Sequence, residues 1–282
     1  MWEAGCMSIS FDSTVPLHGT VDIPLLGFGV YKVEPGAETE DAVVAALEAG
    51  YRHIDTAALY RNEVDVGKAI AASGIDRSEL FVTTKLWNSH QGYESTLAAF
   101  DRSLEKLGLD YVDLYLIHWP KPEHTEGTWR AMEEIQAAGK ARAIGVSNFL
   151  AEHLDQLAET ATVMPSINQI EFHPHLQSAE LVSYCADRGI VVEAWSPLKH
   201  GEIINDPELA VIADAHGVTV AQVVLRWMLQ RGIVTLPKSI TPSRIAENRD
   251  IYGFELTDDE VAAINAMDRN ERVGPDPGNF DF

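Results

Sequence analysis

Four residues suited to proton transfer follow short apolar segments in the first half of the sequence. Asp55 ends the segment 51–54, Tyr60 lies just beyond it, Lys85 ends FVTTK, and His118 lies within YLIHWP. A phenol with a pKa near 10 is a poor acid at neutral pH, but a neighbouring ammonium favours its phenolate and makes it a better proton donor. An aspartate would keep that ammonium charged, and a histidine would orient a substrate oxygen. Such a set can protonate a carbonyl oxygen while hydride is delivered to the carbon.

Each of these residues also has a structural explanation when it is taken alone. Asp55 could cap a helix or pair with Arg52, and Tyr60 could be a packing residue. Lys85 could be solvated, and His118, between two apolar neighbours, could be a core histidine. Their joint position at three successive strand ends favours the chemical interpretation, which predicts an oxidoreductase.

The elements that would position these residues repeat about every thirty residues, as a short apolar strand followed by an amphipathic helix. In one such helix the apolar residues Leu97, Phe100, Leu104 and Leu107 recur at helical spacing, and Gly108 follows them. Strands are predicted near 51–54, 81–85, 112–117, 142–146, 166–170, 190–195, 233–236 and 250–254. Repeated strands buried by helices form parallel sheets with right-handed crossovers.

Eight such units predict an α/β fold, a (β/α)8 TIM barrel with its site at the carboxyl ends of the strands. The alternative is a doubly wound sheet, but the segment Gly27 to Gly29 does not continue into a dinucleotide-binding fingerprint. An N-terminal β-hairpin is predicted over 14–23, where His18 and Gly19 supply the turn.

Additional helices are predicted near 38–49, 207–215 and 219–230, and from Thr257 to about Met267. No linker or low-complexity segment interrupts the pattern. We therefore expect one domain over 1–282, with an N-terminal extension at 1–12 and an irregular C-terminal tail at 274–282.

Composition narrows the classes of function. The chain has 282 residues, 46% of them hydrophobic, and a formal net charge of −22. Such a charge argues against a general surface for nucleic acids or anionic membranes. Two cysteines, Cys6 and Cys185, suggest neither a disulfide framework nor a thiolate metal site. The N-terminus lacks the features of a signal peptide, and no apolar run has membrane-spanning length, so a cytoplasmic location is expected.

Several motifs carry a resemblance to a known family: GYRHIDTAALYRNEVDVG, TTKLWNSH, DLYLIHWP, GVSNF, INQIEFHP, EAWSPL and LPKSITPSRIAEN. From about Val15 onward the sequence resembles the aldo-keto reductases, closest to short prokaryotic members typified by the diketo-gluconate reductases. The resemblance implies a barrel that binds NADPH in extended form. It also implies the catalytic tetrad Asp55, Tyr60, Lys85 and His118, with Tyr60 as the general acid.

The nicotinamide end of the cofactor site is predicted from polar side chains at strand ends. Ser147 and Asn148 end the fourth predicted strand and Asn168 and Gln169 end the fifth, and such side chains can bind a carboxamide. Trp195 ends the sixth predicted strand, where the resemblance implies an aromatic side chain that stacks on the nicotinamide ring. The resemblance adds the residues Ser196 and Leu198 of the same motif.

The phosphate end is predicted from a locally basic segment of an acidic chain. Lys238, Ser239 and Arg244 combine two cations, a hydroxyl and the start of a helix, which suits a phosphate monoester. The resemblance assigns them to the ribose 2′-phosphate, with Glu247 and Asn248 near the adenine. This favours NADPH over NADH.

The predicted substrate is a small carbonyl compound, an aldehyde, ketone, dicarbonyl, keto-sugar or keto-acid. Tyr31, Trp87, Asn88 and Trp119 are predicted to surround the reacting carbonyl. Phe280 and Phe282 are candidates to cover the pocket from the tail. The run 120–127 is short and predicts an open pocket. A monomer is expected.

Two other functions fit parts of the sequence. A metal-dependent hydrolase on the same barrel would use His53, Asp55, His118, His173 and His175 as ligands, since imidazole and carboxylate suit zinc. Against it, a proline separates the last two histidines, and a lysine would lie in a cationic site.

A regulatory protein could keep the fold and the cofactor but have little turnover. The intact tetrad argues against this second alternative, and no metal is expected.

Overall fold

The computed structural model describes residues 9–19 and 21–279. It begins with the antiparallel hairpin of β1 (Thr14–Leu17) and β2 (Val21–Pro24), in which Val15 pairs with Ile23. Side chains alternate between exposed and buried along both strands, as expected for a hairpin with one covered face. The predicted N-terminal hairpin is confirmed.

Eight parallel strands then form one sheet in which neighbours in the chain are neighbours in space. They are β3 (Phe28–Gly29), β4 (His53–Asp55), β5 (Phe81–Leu86), β6 (Val112–Ile117), β7 (Ala141–Ser147), β8 (Ile167–Glu171), β9 (Val191–Trp195) and β10 (Val234–Thr235). β5 and β6 are buried along their whole length, as expected for strands of a parallel sheet that is covered on both faces.

The sheet closes on itself beside β3. Leu26 forms a parallel bridge to Thr235 of β10. The Gly27 amide donates to the Thr235 carbonyl at 2.9 Å, and the Thr235 amide donates to the Leu25 carbonyl at 2.9 Å. The predicted (β/α)8 barrel is therefore confirmed.

Ten helices surround the sheet in the described part of the chain. They are α1 (Ala37–Glu48), α2 (Glu63–Ala72), α3 (Tyr93–Leu107), α4 (Thr125–Ala137), α5 (Ala151–Ala158), α6 (Ala179–Asp187), α7 (Pro207–His216), α8 (Val220–Gln230), α9 (Pro242–Arg249) and α10 (Asp258–Asn265). Gly108 ends α3 in the left-handed conformation, and Thr257 caps α10 in a capping box with Glu260. The additional helices fall where the sequence predicts them.

One strand prediction is wrong. The eighth barrel strand is not 250–254, which connects α9 to α10 without strand structure. The strand is instead β3, inside the glycine-rich segment LLGFGVYK. A Cβ at Gly27 would lie 2.4 Å from His53 Nδ1, so the chain beside β3 packs too closely for a side chain. Glycine has a low propensity for strands, so the same glycines that allow this packing prevented the segment from being predicted as a strand.

The predicted division into one domain, an extension at 1–12 and a tail at 274–282 stays a prediction. Residues 1–8 and 280–282, which include Cys6, Phe280 and Phe282, lie outside the described residues. Cys185 is a buried free thiol. Among the described residues, no single helix is long and apolar enough to span a membrane; α7 and α8 meet that test only as a pair bent by 85°.

Candidate active site

A buried ion pair lies at the carboxyl ends of β4 and β5. Lys85 Nζ donates to Asp55 Oδ1 at 2.6 Å and to the Thr56 carbonyl at 2.9 Å. Lys85 is fully buried and Asp55 is 3% exposed. Since neighbouring parallel strands end on the same side of the barrel, the two side chains predicted from separate motifs meet there.

Tyr60 is placed above this ion pair by a single 3-10 turn, Ala58–Tyr60. Its hydroxyl lies 3.5 Å from Lys85 Nζ. The buried Asn62 holds the loop, because its side chain accepts from Thr56 Oγ1 at 2.9 Å and donates to the Val30 carbonyl at 3.1 Å. The sequence motifs did not predict this role of Asn62.

His118 completes the group at the end of β6. Its ring lies 5.6 Å from the Tyr60 ring and 5.4 Å from the Trp87 ring, edge-on to both. Its backbone amide donates to the Leu86 carbonyl at 3.1 Å, which fixes it against the end of β5. All four predicted catalytic residues are therefore close together.

The electrostatics of Tyr60 differ from the sequence-based expectation. Burial, then the charge of Asp55 and the proximity of Tyr31, raise the pKa of Tyr60 well above its usual value near 10. The expected lowering by Lys85 does not dominate because Asp55, 2.6 Å from the ammonium, offsets its charge. Tyr60 is thus a protonated phenol over the physiological range.

His118 is a neutral imidazole. Burial first, and the Lys85 charge second, lower its pKa well below the ordinary value of 6.5. Within the described residues, His118 Nδ1 is buried without a hydrogen-bond partner. A neutral ring can orient a carbonyl compound through one hydrogen bond without competing with Tyr60 as the proton source.

A cavity of about 910 Å³ lies at this end of the barrel. Tyr60, His118 and Asp55 line it, while Lys85 lies beneath its floor. All the predicted cofactor residues except Asn168 line it: Ser147, Asn148, Gln169, Trp195, Ser196, Leu198, Lys238, Ser239, Arg244, Glu247 and Asn248. The cavity therefore connects the predicted catalytic group to the predicted phosphate site.

Asn148 organises the wall between His118 and Trp195. It adopts the left-handed conformation, with φ 64°. Its Nδ2 donates to the His118 carbonyl at 3.0 Å, and its Oδ1 accepts from Trp195 Nε1 at 2.8 Å. Asn168, one position before Gln169 on β8, faces away and bonds the Phe149 backbone instead, because side chains alternate along a strand.

The basic end of the cavity is formed by the loop before α9 and by the first turn of that helix. Lys238 and Arg244 are exposed, and neither forms an ion pair with a carboxylate among the described residues. Ser239 Oγ accepts from the Thr241 amide at 3.1 Å, which shapes the turn into the helix. Two available cations beside a helix start suit a phosphate monoester.

The predicted substrate residues divide into two groups. Tyr31 and Trp119 line the cavity. Trp87 and Asn88 do not line it, although the Trp87 ring packs against His118, and Asn88 is 4% exposed. Asn88 begins the 3-10 turn Asn88–His90 after β5 and is the buried residue of that turn.

Sequence reasoning missed several cavity residues. Lys32, His200, Ile204 and the segment 273–275 line it. The segment 273–275 is held there because Glu171 accepts from the amides of its first two residues at 2.6 and 3.1 Å. These residues lie in loops whose path depends on tertiary contacts, so no local pattern identifies them.

The zinc-ligand alternative fails on geometry within the described residues, which contain no group of three or more His, Cys, Asp or Glu side chains able to hold a metal ion. His53 is 3.2 Å from Thr83 Oγ1, His173 is 3.1 Å from Glu171, and His175 is 3.2 Å from Asp206. Each of these three histidines therefore has its own separate partner.

Comparison with known proteins gives a consistent result. The model of the Aldo/keto reductase family matches residues 25–206 and 202–269. The glyoxal reductase of Bacillus subtilis (strain 168) is 52% identical over 276 residues, which cover 98% of this chain and 100% of that protein.

Solved structures of the same family are also similar. An aldo/keto reductase from Brucella melitensis is 51% identical, with a TM-score of 0.88 over 91% of this chain and 99% of its own. A mutant of Gox0644 in complex with NADPH is 42% identical, with a TM-score of 0.91 over 96% of this chain and 99% of its own.

Proposed function

Because the chain belongs to the aldo/keto reductase family, we propose that it reduces aldehydes and ketones to alcohols with NADPH, and that Tyr60 is the general acid. The observation that carries the proposal is the position of Tyr60. Its hydroxyl lies 3.5 Å from a buried lysine that is paired with Asp55, in a cavity that leads to Lys238 and Arg244.

The cavity fits the proposed cofactor in size and chemistry. A volume of about 910 Å³ lies within the range of small-molecule and cofactor sites. Lys238, Ser239 and Arg244 would hold the ribose 2′-phosphate, with Glu247 and Asn248 near the adenine. The NADPH complex of a 42% identical structural neighbour supports the choice of cofactor.

At the other end, Ser147, Asn148 and Gln169 would hold the nicotinamide carboxamide. Trp195 would cover one face of the ring, with Ser196 and Leu198 beside it. When bound, NADPH supplies the hydride that reduces the carbonyl carbon.

The chain's own residues would supply the proton and the orientation. His118, a neutral imidazole, would hydrogen-bond the carbonyl oxygen and hold it near Tyr60. The Tyr60 hydroxyl would transfer its proton to that oxygen as the carbon–oxygen double bond becomes a single bond. Lys85, fixed by Asp55, would stabilise the resulting phenolate across the 3.5 Å gap.

The proposed substrates are small dicarbonyls or keto-sugars. The glyoxal reductase relative supports the first of these classes. Tyr31 and Trp119 give the cavity aromatic walls, and the loop after His118 contributes only a short 3-10 turn, Pro122–His124, before α4 begins. Such a site should accept several small carbonyl compounds. The monomeric state and the cytoplasmic location stay predictions.

The test is a panel of carbonyl compounds assayed by loss of NADPH absorbance, with NADH in parallel. Glyoxal, methylglyoxal, phenylglyoxal and a keto-sugar should be reduced, and NADPH should be much preferred over NADH. Tight NADPH binding without turnover on any member would instead favour a regulatory protein that keeps the fold and the cofactor.

A further inference from the structure

A fully buried carboxyl group that the proposed mechanism does not use lies below the cavity floor. Glu193 is on β9, two positions before Trp195, in register with Gln169 on β8 and Val234 on β10. It is 0% exposed. An acidic side chain is almost never buried in this way unless it is held by specific partners.

The partner of Glu193 is Gln169. Glu193 Oε2 accepts from Gln169 Nε2 at 2.7 Å, and Asp55 Oδ2 accepts from the same nitrogen at 2.9 Å. An amide nitrogen carries two hydrogens, so Gln169 Nε2 can donate one to each of these carboxyl groups. Both side-chain N–H groups of Gln169 therefore donate to carboxyl groups below the cavity. Its side-chain carbonyl oxygen is left for the cavity, which Gln169 lines.

The groups that face Glu193 come from three strands. Asp55 and His53 belong to β4, Lys85 to β5 and Gln169 to β8. Glu193 Oε1 lies 3.8 Å from His53 Nε2, but it forms no hydrogen bond to any described residue. Gln169 is thus the hydrogen-bond partner that gives this carboxyl a direct connection to the cavity.

We infer that Glu193 is a positioning residue that fixes the Gln169 amide with its carbonyl oxygen toward the cofactor, where it accepts from the nicotinamide carboxamide. The inference rests on the proposed NADPH site. Without Glu193, one N–H of Gln169 loses its partner, and the amide can turn about its last torsion. The site would then distinguish less well between a carboxamide and a group without N–H donors.

The test compares binding of NADP⁺ with binding of its acetylpyridine analogue, in which a methyl ketone replaces the carboxamide and no N–H remains. Dissociation constants are measured by quenching of tryptophan fluorescence. The wild type should bind NADP⁺ more tightly. In Glu193→Leu this preference should fall roughly tenfold, the value of one hydrogen bond of about 1.4 kcal/mol.

Two controls separate positioning from folding. Glu193→Gln keeps a carbonyl that can accept from Gln169, so it should retain the wild-type preference. The adenosine bisphosphate half of the cofactor, which lacks the nicotinamide, should bind the wild type and both variants equally. If Glu193→Leu fails to bind that fragment, Glu193→Asp replaces it, because the shorter acid withdraws from Gln169 and should show the same loss of preference.

An unchanged preference in the variant that still binds the fragment would overturn the inference. Failure of the proposed function gives a different result, because the wild type would then bind neither NADP⁺ nor the fragment, or Tyr60→Phe would retain turnover. The two failures are therefore distinguishable.

Discussion

At the scale of single residues, the site contains more buried acids than buried cations. Asp55, Lys85 and Glu193 are all shielded from solvent, so two acids share one cation. Burial first, and Asp55 second, raise the pKa of Glu193 from its usual 4.5 to about 8. The sequence predicted the ion pair but gave no sign of the second acid, because Glu193 has no partner within its own strand.

Glu193 should make stability depend on pH. Since its pKa is higher in the folded protein, its contribution to stability is fully present below pH 4.5 and is lost as the pH rises to about 8. Glu193→Gln removes this titration. As the pH rises across this range, the free energy of unfolding of the variant should therefore increase relative to that of the wild type, by on the order of a few kcal/mol.

Urea unfolding of both proteins at a series of pH values measures this difference. Parallel curves between about pH 5 and pH 8 would show that the folded protein does not raise the pKa of Glu193.

Removing one partner of the Asp55–Lys85 pair should lower the stability of the protein much more than removing both partners. Lys85→Met leaves Asp55 as a buried charge without its cation, which should cost about 3–5 kcal/mol of stability. The double variant Lys85→Met with Asp55→Asn removes both charges and should recover most of that loss. Chemical denaturation of the two single variants and the double variant forms the cycle, and purely additive losses would contradict the buried pairing.

At the scale of elements, close packing of the helices constrains particular glycines. A Cβ at Gly67 in α2 would lie 2.2 Å from the carbonyl oxygen of Leu107 at the end of α3. Alanine is favoured over glycine inside a helix by about 1 kcal/mol, but a backbone oxygen cannot give way as a flexible side chain can. The steric cost should therefore dominate.

Gly67→Ala should lower the free energy of unfolding by about 3 kcal/mol, at the upper end of the cost of overpacking. Gly253→Ala is the matched control, because its Cβ would meet nothing within 4 Å, and it should change stability by less than about 0.5 kcal/mol. Thermal or urea unfolding gives both values. Equal effects of the two substitutions would contradict the close approach of α2 and α3.

The sequence predicts most of this architecture because strand and helix alternate with clear periodicity. Seven of the eight barrel strands lie where apolar runs predict them, and Lys85 and His118 are identified by the ends of those runs. β3 is only two residues long and glycine-rich, so propensity cannot identify it. The prediction of a strand at 250–254 was wrong because this segment, despite its apolar residues, connects α9 to α10 without strand structure.

Prediction of the candidate site from the sequence has the same limit. Strand-end residues could be predicted, since the barrel fixes which ends meet. The segment 273–275 could not, because its position depends on the Glu171 carboxylate more than a hundred residues earlier in the chain. The direction of the Tyr60 pKa shift was also missed, since it depends on burial and on distances that a sequence does not contain.

At the scale of the whole molecule, a chain with a net charge of −22 would bind a phosphorylated cofactor through a local basic site. Arg244→Ala should weaken NADPH binding about tenfold, the lower range for a hydrogen bond to a charged group at an exposed position. NADH binding should change little, because NADH has no 2′-phosphate. Titration with both cofactors measures the difference.

Arg130→Ala is the control for a general loss of positive charge, because Arg130 lies on α4 outside the cavity and contacts the Tyr93 ring. It should leave both affinities unchanged. Similar losses of affinity for NADPH and NADH in Arg244→Ala would show that Arg244 does not bind the 2′-phosphate.

The central claim is that Tyr60 provides the proton. The most direct measurement is NADPH oxidation by methylglyoxal in the wild type and in Tyr60→Phe, combined with NADPH binding by fluorescence. Tyr60→Phe should bind NADPH with wild-type affinity and lose at least about 100-fold in turnover, the lower range for a general acid. Turnover near the wild-type rate with NADPH bound would show that another group donates the proton, and would contradict the account.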